Sequence, residues 1–260
     1  MNADVPRFAD VPRFLAIASG KGGVGKTWLS ITLAHALTRS GRRVLLFDAD
    51  LGLANVDVQL GLMPETDLTA LVAGRADVAG AVTRHEATGL HVLAGRSGSA
   101  SLSALPAAAL EMLLARLRRE TDAYDVVVLD LGAGIDRVAR RLAAWCDLLV
   151  VVATDEPTSL TDAYAVLKLQ AADRPDGDAR IVVNQAQSEA AGERTYTALR
   201  RACETFLNRT PPLAGVIRHD GKVRDAIRHQ MPLLSRHPNC AAARDVEALA
   251  RELDKKAVLF

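Results

Sequence analysis

The nine residues Ser19-Gly20-Lys21-Gly22-Gly23-Val24-Gly25-Lys26-Thr27 constrain this chain more than any other stretch. Four glycines let the backbone turn where other residues cannot follow. Before them, Phe14–Ser19 is short and apolar and reads as a strand. After them, Thr27–Arg39 carries Leu29, Leu33, Ala36 and Leu37 at helical spacing, and Gly41 stands where a residue just past a helix end is expected. A strand feeding a helix through glycines is the setting in which backbone N–H groups converge on an anion. Gly20-x-x-x-x-Gly25-Lys26-Thr27 matches a phosphate-binding loop in that setting. Lys26 then places charge near the outer phosphates, and the Thr27 hydroxyl is a candidate ligand for Mg²⁺. Lys21 is surplus to a loop that only wraps phosphate.

Strand and helix patterns alternate through the rest of the chain. Further strands are expected at Arg43–Asp48, His91–Ala94, Tyr124–Asp130, Leu148–Ala153, Ala179–Asn184 and Leu213–Ile217. Helices are expected at Pro106–Glu120, Ile135–Cys146, Ser159–Ala172, Glu189–Asn208, Gly221–Arg228 and Cys240–Lys256. Continuous apolar strands alternating with helices predict an α/β fold, a mostly parallel sheet covered on both faces. Ligands in such folds bind beyond the carboxyl ends of the strands, where Ser19, Asp48, Asp130 and Asn184 fall. Residues 55–105 are the least regular part and are expected to be the most mobile. Residues 173–178 read as a turn rather than a linker. The expected organisation is a loose arm over residues 1–13 followed by one domain over residues 14–260.

Composition excludes several classes. The 260-residue chain has a formal net charge of +1, so no global field draws it to nucleic acid or anionic lipid. Cys146, Cys203 and Cys240 are far apart in sequence, which argues against zinc or iron–sulfur ligation within one chain and fits a reduced, cytosolic setting. No stretch approaches the roughly 20 apolar residues of a membrane span. The six histidines form no close-spaced pair.

Two further clusters carry chemistry. Asp130 ends the apolar run Val126-Val127-Val128-Leu129, where a carboxylate can hold Mg²⁺ through water. Asp125, at the start of that strand, reads as an exposed turn residue. Asp48-Ala49-Asp50 follows the second strand; such a pair suits metal holding and water positioning, though alone it reads more often as a solvated turn.

With these residues in view, KGGVGKT and its additional lysine resemble the deviant phosphate loop of the ParA/MinD ATPases. The resemblance covers about residues 14 to 255. It implies ATP as ligand with Mg²⁺, a homodimer in the ATP state, and slow hydrolysis. Lys21 is then a cation supplied in trans to the partner's phosphates; the alternative is an ion pair within its own subunit. The resemblance assigns catalysis to Lys21, Lys26 and the water-activating Asp50. It assigns nucleotide binding to Gly20, Lys21, Gly22, Gly23, Val24, Gly25, Lys26, Thr27 and Trp28, with Asn184 reading the adenine, and metal binding to Thr27, Asp48 and Asp130.

Residues 48–62, 156–168 and 183–192, with 212–220, resemble more narrowly the FlhG (FleN/YlxH) branch, which implies control of flagellar number or placement and flagellar assembly or regulatory proteins as partners. ParA-type DNA partition and MinD-type division-site regulation are the alternatives. Leu131, Trp28 and Arg218 depart from that branch's usual residues. The arm over residues 1–13 has no glutamine, so activation of an FlhF-like GTPase through it is not expected. The arginine clusters 116/118/119, 137/140/141 and 200/201 are interspersed with acids, which favours solvated helix faces over a DNA surface. Val246, Leu249, Ala250 and Leu253 suit a final helix packed on the domain. For residues 255–260, a basic pair beside an apolar tail, a lipid interface and a frayed helix tip both stay open, so a peripheral position on the inner membrane face is part of the expectation.

Overall fold

The computed structural model describes residues 14–50, 52–95 and 105–255. The arm and residues 256–260, and with them the tail reading, lie outside the described residues.

Eight strands form one sheet in the order β3-β4-β2-β5-β1-β6-β7-β8. They are β1 Phe14–Ser19, β2 Val44–Ala49, β3 Val82–His85, β4 Leu90–Leu93, β5 Val126–Ala133, β6 Leu148–Ala153, β7 Asp178–Ala186 and β8 Leu213–Arg218. Among the described residues only the edge strand β3 runs antiparallel, against β4. The other neighbours are parallel. The chain is thus an α/β protein with a mostly parallel sheet.

Both faces are covered because the central strands carry consecutive apolar residues up to their carboxyl ends. Alternate residues of β1 serve opposite layers. Phe14, Ala16 and Ala18 pack with Leu110, Leu113, Leu142, Val166 and Leu199. Leu15 and Ile17 pack with Leu29, Leu33, Val246 and Leu249. Each fully buried leucine or isoleucine contributes about 1.5–3 kcal/mol, so a polar residue in either register would be costly. The first layer holds helices α5 Ala107–Glu120, α6 Arg137–Trp145, α7 Pro157–Asp173 and α8 Glu189–Leu207. The second holds α1 Lys26–Arg39, α9 Gly221–Arg228, α10 Leu233–Arg236 and α11 Ala241–Lys255. In α11, Val246, Leu249, Ala250 and Leu253 are buried against α1 and the sheet, as an amphipathic final helix requires. Arg218 of β8 grips Asp245 of α11 through two side-chain nitrogens, so this departure from the usual branch residue fastens the last helix.

Residues 55–105 are more regular than the sequence predicts. Their described part holds α2 Val56–Leu60, α3 Leu68–Val72 and α4 Val78–Ala81, then the β3–β4 hairpin. These helices are one turn or little more, too short to show a periodicity, and two start at aspartate caps, Asp67 and Asp77. Asp125 is likewise no free turn residue: it accepts hydrogen bonds from the backbone N–H and guanidinium of Arg43, tying the start of β5 to β2.

Candidate nucleotide site

The carboxyl ends of β1, β2, β5 and β7 meet around the glycine loop. Gly23 and Gly25 have φ of 81° and 92°, the left-handed region that glycine alone visits freely. Gly20 has a different reason to be glycine. A Cβ there would lie 2.4 Å from the backbone oxygen of Asp162, so the close approach of α7 dictates the residue. Gly25 caps α1, and the loop thus delivers its N–H groups to a helix N-terminus.

Lys26 is buried and its neighbours explain how it is tolerated. Burial lowers its pKa, while the nearby Asp130 and Asp50 carboxylates act in the opposite sense. Asp130 and Asp48 are register partners on the adjacent strands β5 and β2. Burial pushes Asp130 up to about 6, opposed by hydrogen bonds from Thr27 and Ser30 and by the Lys26 charge. Asp48 rises to about 7, first through burial and then through the charge on Asp130, although its carboxylate accepts from the N–H groups of Asp50, Asn55 and Val56. Two buried acids that resist ionisation together, beside the Thr27 hydroxyl, form a donor set suited to a hard divalent cation. Ser30, whose Oγ lies 2.9 Å from Asp130, belongs to this cluster and escapes motif reading. Its only sequence signal is position: one turn past Lys26, on the helix face that meets β5.

Asp50 is half-buried and accepts from the N–H groups of Gly52 and Leu53. It also lies against the last residues of β5: a Cβ on Gly132 would come within 3.2 Å of its Oδ1. Gly134 in turn donates from its backbone N–H to Ser19 O, at 3.0 Å. The residue after β2, the end of β5 and the entrance of the phosphate loop therefore come together.

Lys21 does not point at its own loop. Its ammonium pairs with Glu156 and lies 3.2 Å from Thr158 Oγ1, both at the start of α7. In the single chain this is the intrasubunit ion pair that the sequence left open. Asn184 is buried and brought to the loop, where Nδ2 donates to Val24 O at 2.8 Å. Trp28 is a buried side chain of the core layer on α1, and its Nε1 has no hydrogen-bond partner among the described residues. Leu131 is buried in the core at the end of β5.

A nucleotide and its Mg²⁺ fit this donor set: inward-turning glycines, a buried lysine and a paired-acid, hydroxyl cluster converge at one edge of the sheet. Comparison with known proteins agrees. The family described as CobQ/CobB/MinD/ParA nucleotide binding domain matches residues 15–233. The chain belongs to that family and, by its identity to FleN below, to its FlhG-like (FleN/YlxH) branch. It is 38% identical to the antiactivator FleN of Pseudomonas aeruginosa, over 92% of this chain and 85% of that protein. It is 29% identical to the flagellum site-determining protein YlxH of Helicobacter pylori, over 94% and 82%. Among solved structures, the septum site-determining protein MinD of Pyrococcus horikoshii OT3, complexed with Mg-ADP, superposes with a TM-score of 0.77 at 26% identity, covering 95% of this chain and 97% of that one.

Proposed function

We propose that the chain is a Mg²⁺-dependent ATPase that works as a dimerising switch and controls flagellar number or placement, residues 14–260 acting as one unit. The observation that carries the reading is the division of labour between two lysines on one loop. Lys26 is buried among the site's acids, while Lys21 stands at the lip in an exposed ion pair. Exposed pairs contribute about 0–1 kcal/mol, so Lys21 is free to exchange its partner for a neighbouring subunit's phosphates.

In this reading Lys26 and the loop N–H groups bind phosphate, Asp50 orients the attacking water, and Thr27, Asp48 and Asp130 hold the metal, partly through water. Bound there, Mg²⁺ neutralises phosphate charge and favours ionisation of the two raised carboxylates. The approach of Asp50 to Gly132 couples the segment after β2 to the end of β5 as a common sensor of the outer phosphate. The flagellar output rests on likeness to FleN and YlxH. Among the described residues each arginine cluster has members engaged by acids, Arg116 with Glu120, Arg140 with Asp173, Arg141 with Glu111 and Arg200 with Glu204, which favours protein partners over DNA.

Light scattering after gel filtration tests the switch. With Mg²⁺ and a non-hydrolysable ATP analogue the chain is expected to run as a dimer, and with ADP as a monomer. A monomer under both conditions would refute the switch.

A further inference from the structure

In a regular strand, successive side chains point to opposite faces, so Asn184 and Gln185 should not both reach the phosphate loop. They do. Asn184 Nδ2 donates to Val24 O at 2.8 Å and Gln185 Nε2 to Gly23 O at 3.3 Å. The register explains how. Val183 pairs with Val216 and Ala186 with Arg218, so β7 carries one residue more than β8 between them. Gln185 occupies that bulge with φ of 58°. Left-handed backbone costs a residue other than glycine about 1–2 kcal/mol, and it persists only where the surroundings hold it. Asn184 helps to hold it, since its Oδ1 accepts from the Gln185 N–H at 2.9 Å. Gln185 is also exposed between buried Asn184 and Ala186, so packing does not demand a long amide there.

The two amides have a specific consequence. In a planar trans peptide, C=O and N–H point in opposite directions. Holding the Gly23 carbonyl outward turns the Val24 N–H inward, and holding the Val24 carbonyl outward does the same for the Gly25 N–H. Ser19 acts likewise at the loop's entrance, where its Oγ donates to Lys21 O at 2.6 Å. Inward N–H groups are the anion-binding elements of such a loop.

We propose that Gln185 is a positioning residue of the phosphate loop, paired with Asn184 to lock two successive peptide planes with their N–H groups aimed at the nucleotide's phosphates. The inference rests on the nucleotide-binding reading above and adds a residue that no motif marks. It also gives Asn184 work on the loop backbone in addition to any contact with a base.

Calorimetry on the full chain with Mg-ADP and with inorganic tripolyphosphate tests it, using Gln185→Met, which keeps the length and loses the donor, and Gln185→Gly, which also removes the backbone strain. Both variants are expected to bind both ligands about two- to tenfold more weakly, the worth of one neutral hydrogen bond, with the melting temperature of the ligand-free protein not lowered in Gln185→Gly. Equal affinities for variants and wild type would overturn the proposal. So would a loss confined to ADP, which would put Gln185 on the base instead. Wild-type protein that binds neither ligand would overturn the nucleotide reading itself, a result distinct from the other two.

Discussion

The ammonium of Lys21 rests on the carboxylate of Glu156, joining the phosphate loop to the first turn of α7. Thr158 of the same turn adds a hydroxyl at 3.2 Å. The pair is half-exposed, so it holds the lysine weakly and competes with any partner subunit for it. Lys21→Ala is expected to bind ATP as a monomer yet form no ATP-dependent dimer on a sizing column. Glu156→Gln removes the competitor and is expected to strengthen ATP-dependent dimerisation by up to about fivefold in sedimentation analysis, the equivalent of about 1 kcal/mol. Weaker dimerisation in Glu156→Gln would mean that the glutamate steers Lys21 toward the partner instead of withholding it.

Lys26 differs from Lys21 in burial and so in consequence. Its charge faces Asp130 and Asp50 in a site already crowded with acids. Lys26→Ala removes the phosphate's main cationic partner and leaves the acids facing it uncompensated. Calorimetry should detect no ATP binding in the range where wild type saturates. Unchanged affinity would remove the loop from the binding site.

Asp50 sits where its carboxylate meets both the loop after β2 and Gly132. Asp50→Ala should leave ATP binding and dimerisation intact and lower steady-state turnover by about 100-fold or more, the scale of a lost general base or water-positioning group. Phosphate release measured on the isolated ATP dimer is the direct check, and turnover at the wild-type rate would assign the water to another residue.

How much of this was legible beforehand depends on which forces fix each feature. Asp48 and Asp130 were legible because each ends a continuous apolar run, and in a parallel sheet such ends line up; the register pairs them directly. The mostly parallel class followed from the same runs, whereas the order of the strands in the sheet did not. The edge strand Val82–His85 was not legible, for only His85 of its four residues is buried and it has no apolar run of its own. It exists because β4 offers it a hydrogen-bonding edge. Gly20 was legible as glycine but not for its cause, a helix backbone supplied from 142 positions further on, at Asp162. Gln185 lies in the stretch 183–192 that carries the resemblance, but its place on the phosphate loop was not legible, since a bulge is set by pairing between strands and leaves no local pattern in the sequence.

His35 gives the chain a pH dependence that is separable from the site. It lies in α1, is 4% exposed and has no hydrogen-bond partner at Nδ1 among the described residues. Burial lowers its pKa to about 4, and the charges of Arg39 and His85 act in the same direction. The unfolded chain, with an ordinary histidine near 6.5, therefore binds the proton that the folded chain refuses. Stability tied to His35 is present in full above pH 6.5 and is lost as pH falls toward 4, by at most about 3 kcal/mol. The raised pKa values of Asp48 and Asp130 act oppositely, for the folded state then holds protons that the unfolded state releases as pH rises from about 4 to about 7. Wild type alone therefore gives a mixed profile, and the difference from His35→Leu isolates the histidine. Denaturant unfolding at pH 7.5 and pH 5 should show the variant gaining about 2 kcal/mol on wild type at the lower pH. A difference that stays constant between the two would mean that a charged His35 finds an acceptor in the folded chain.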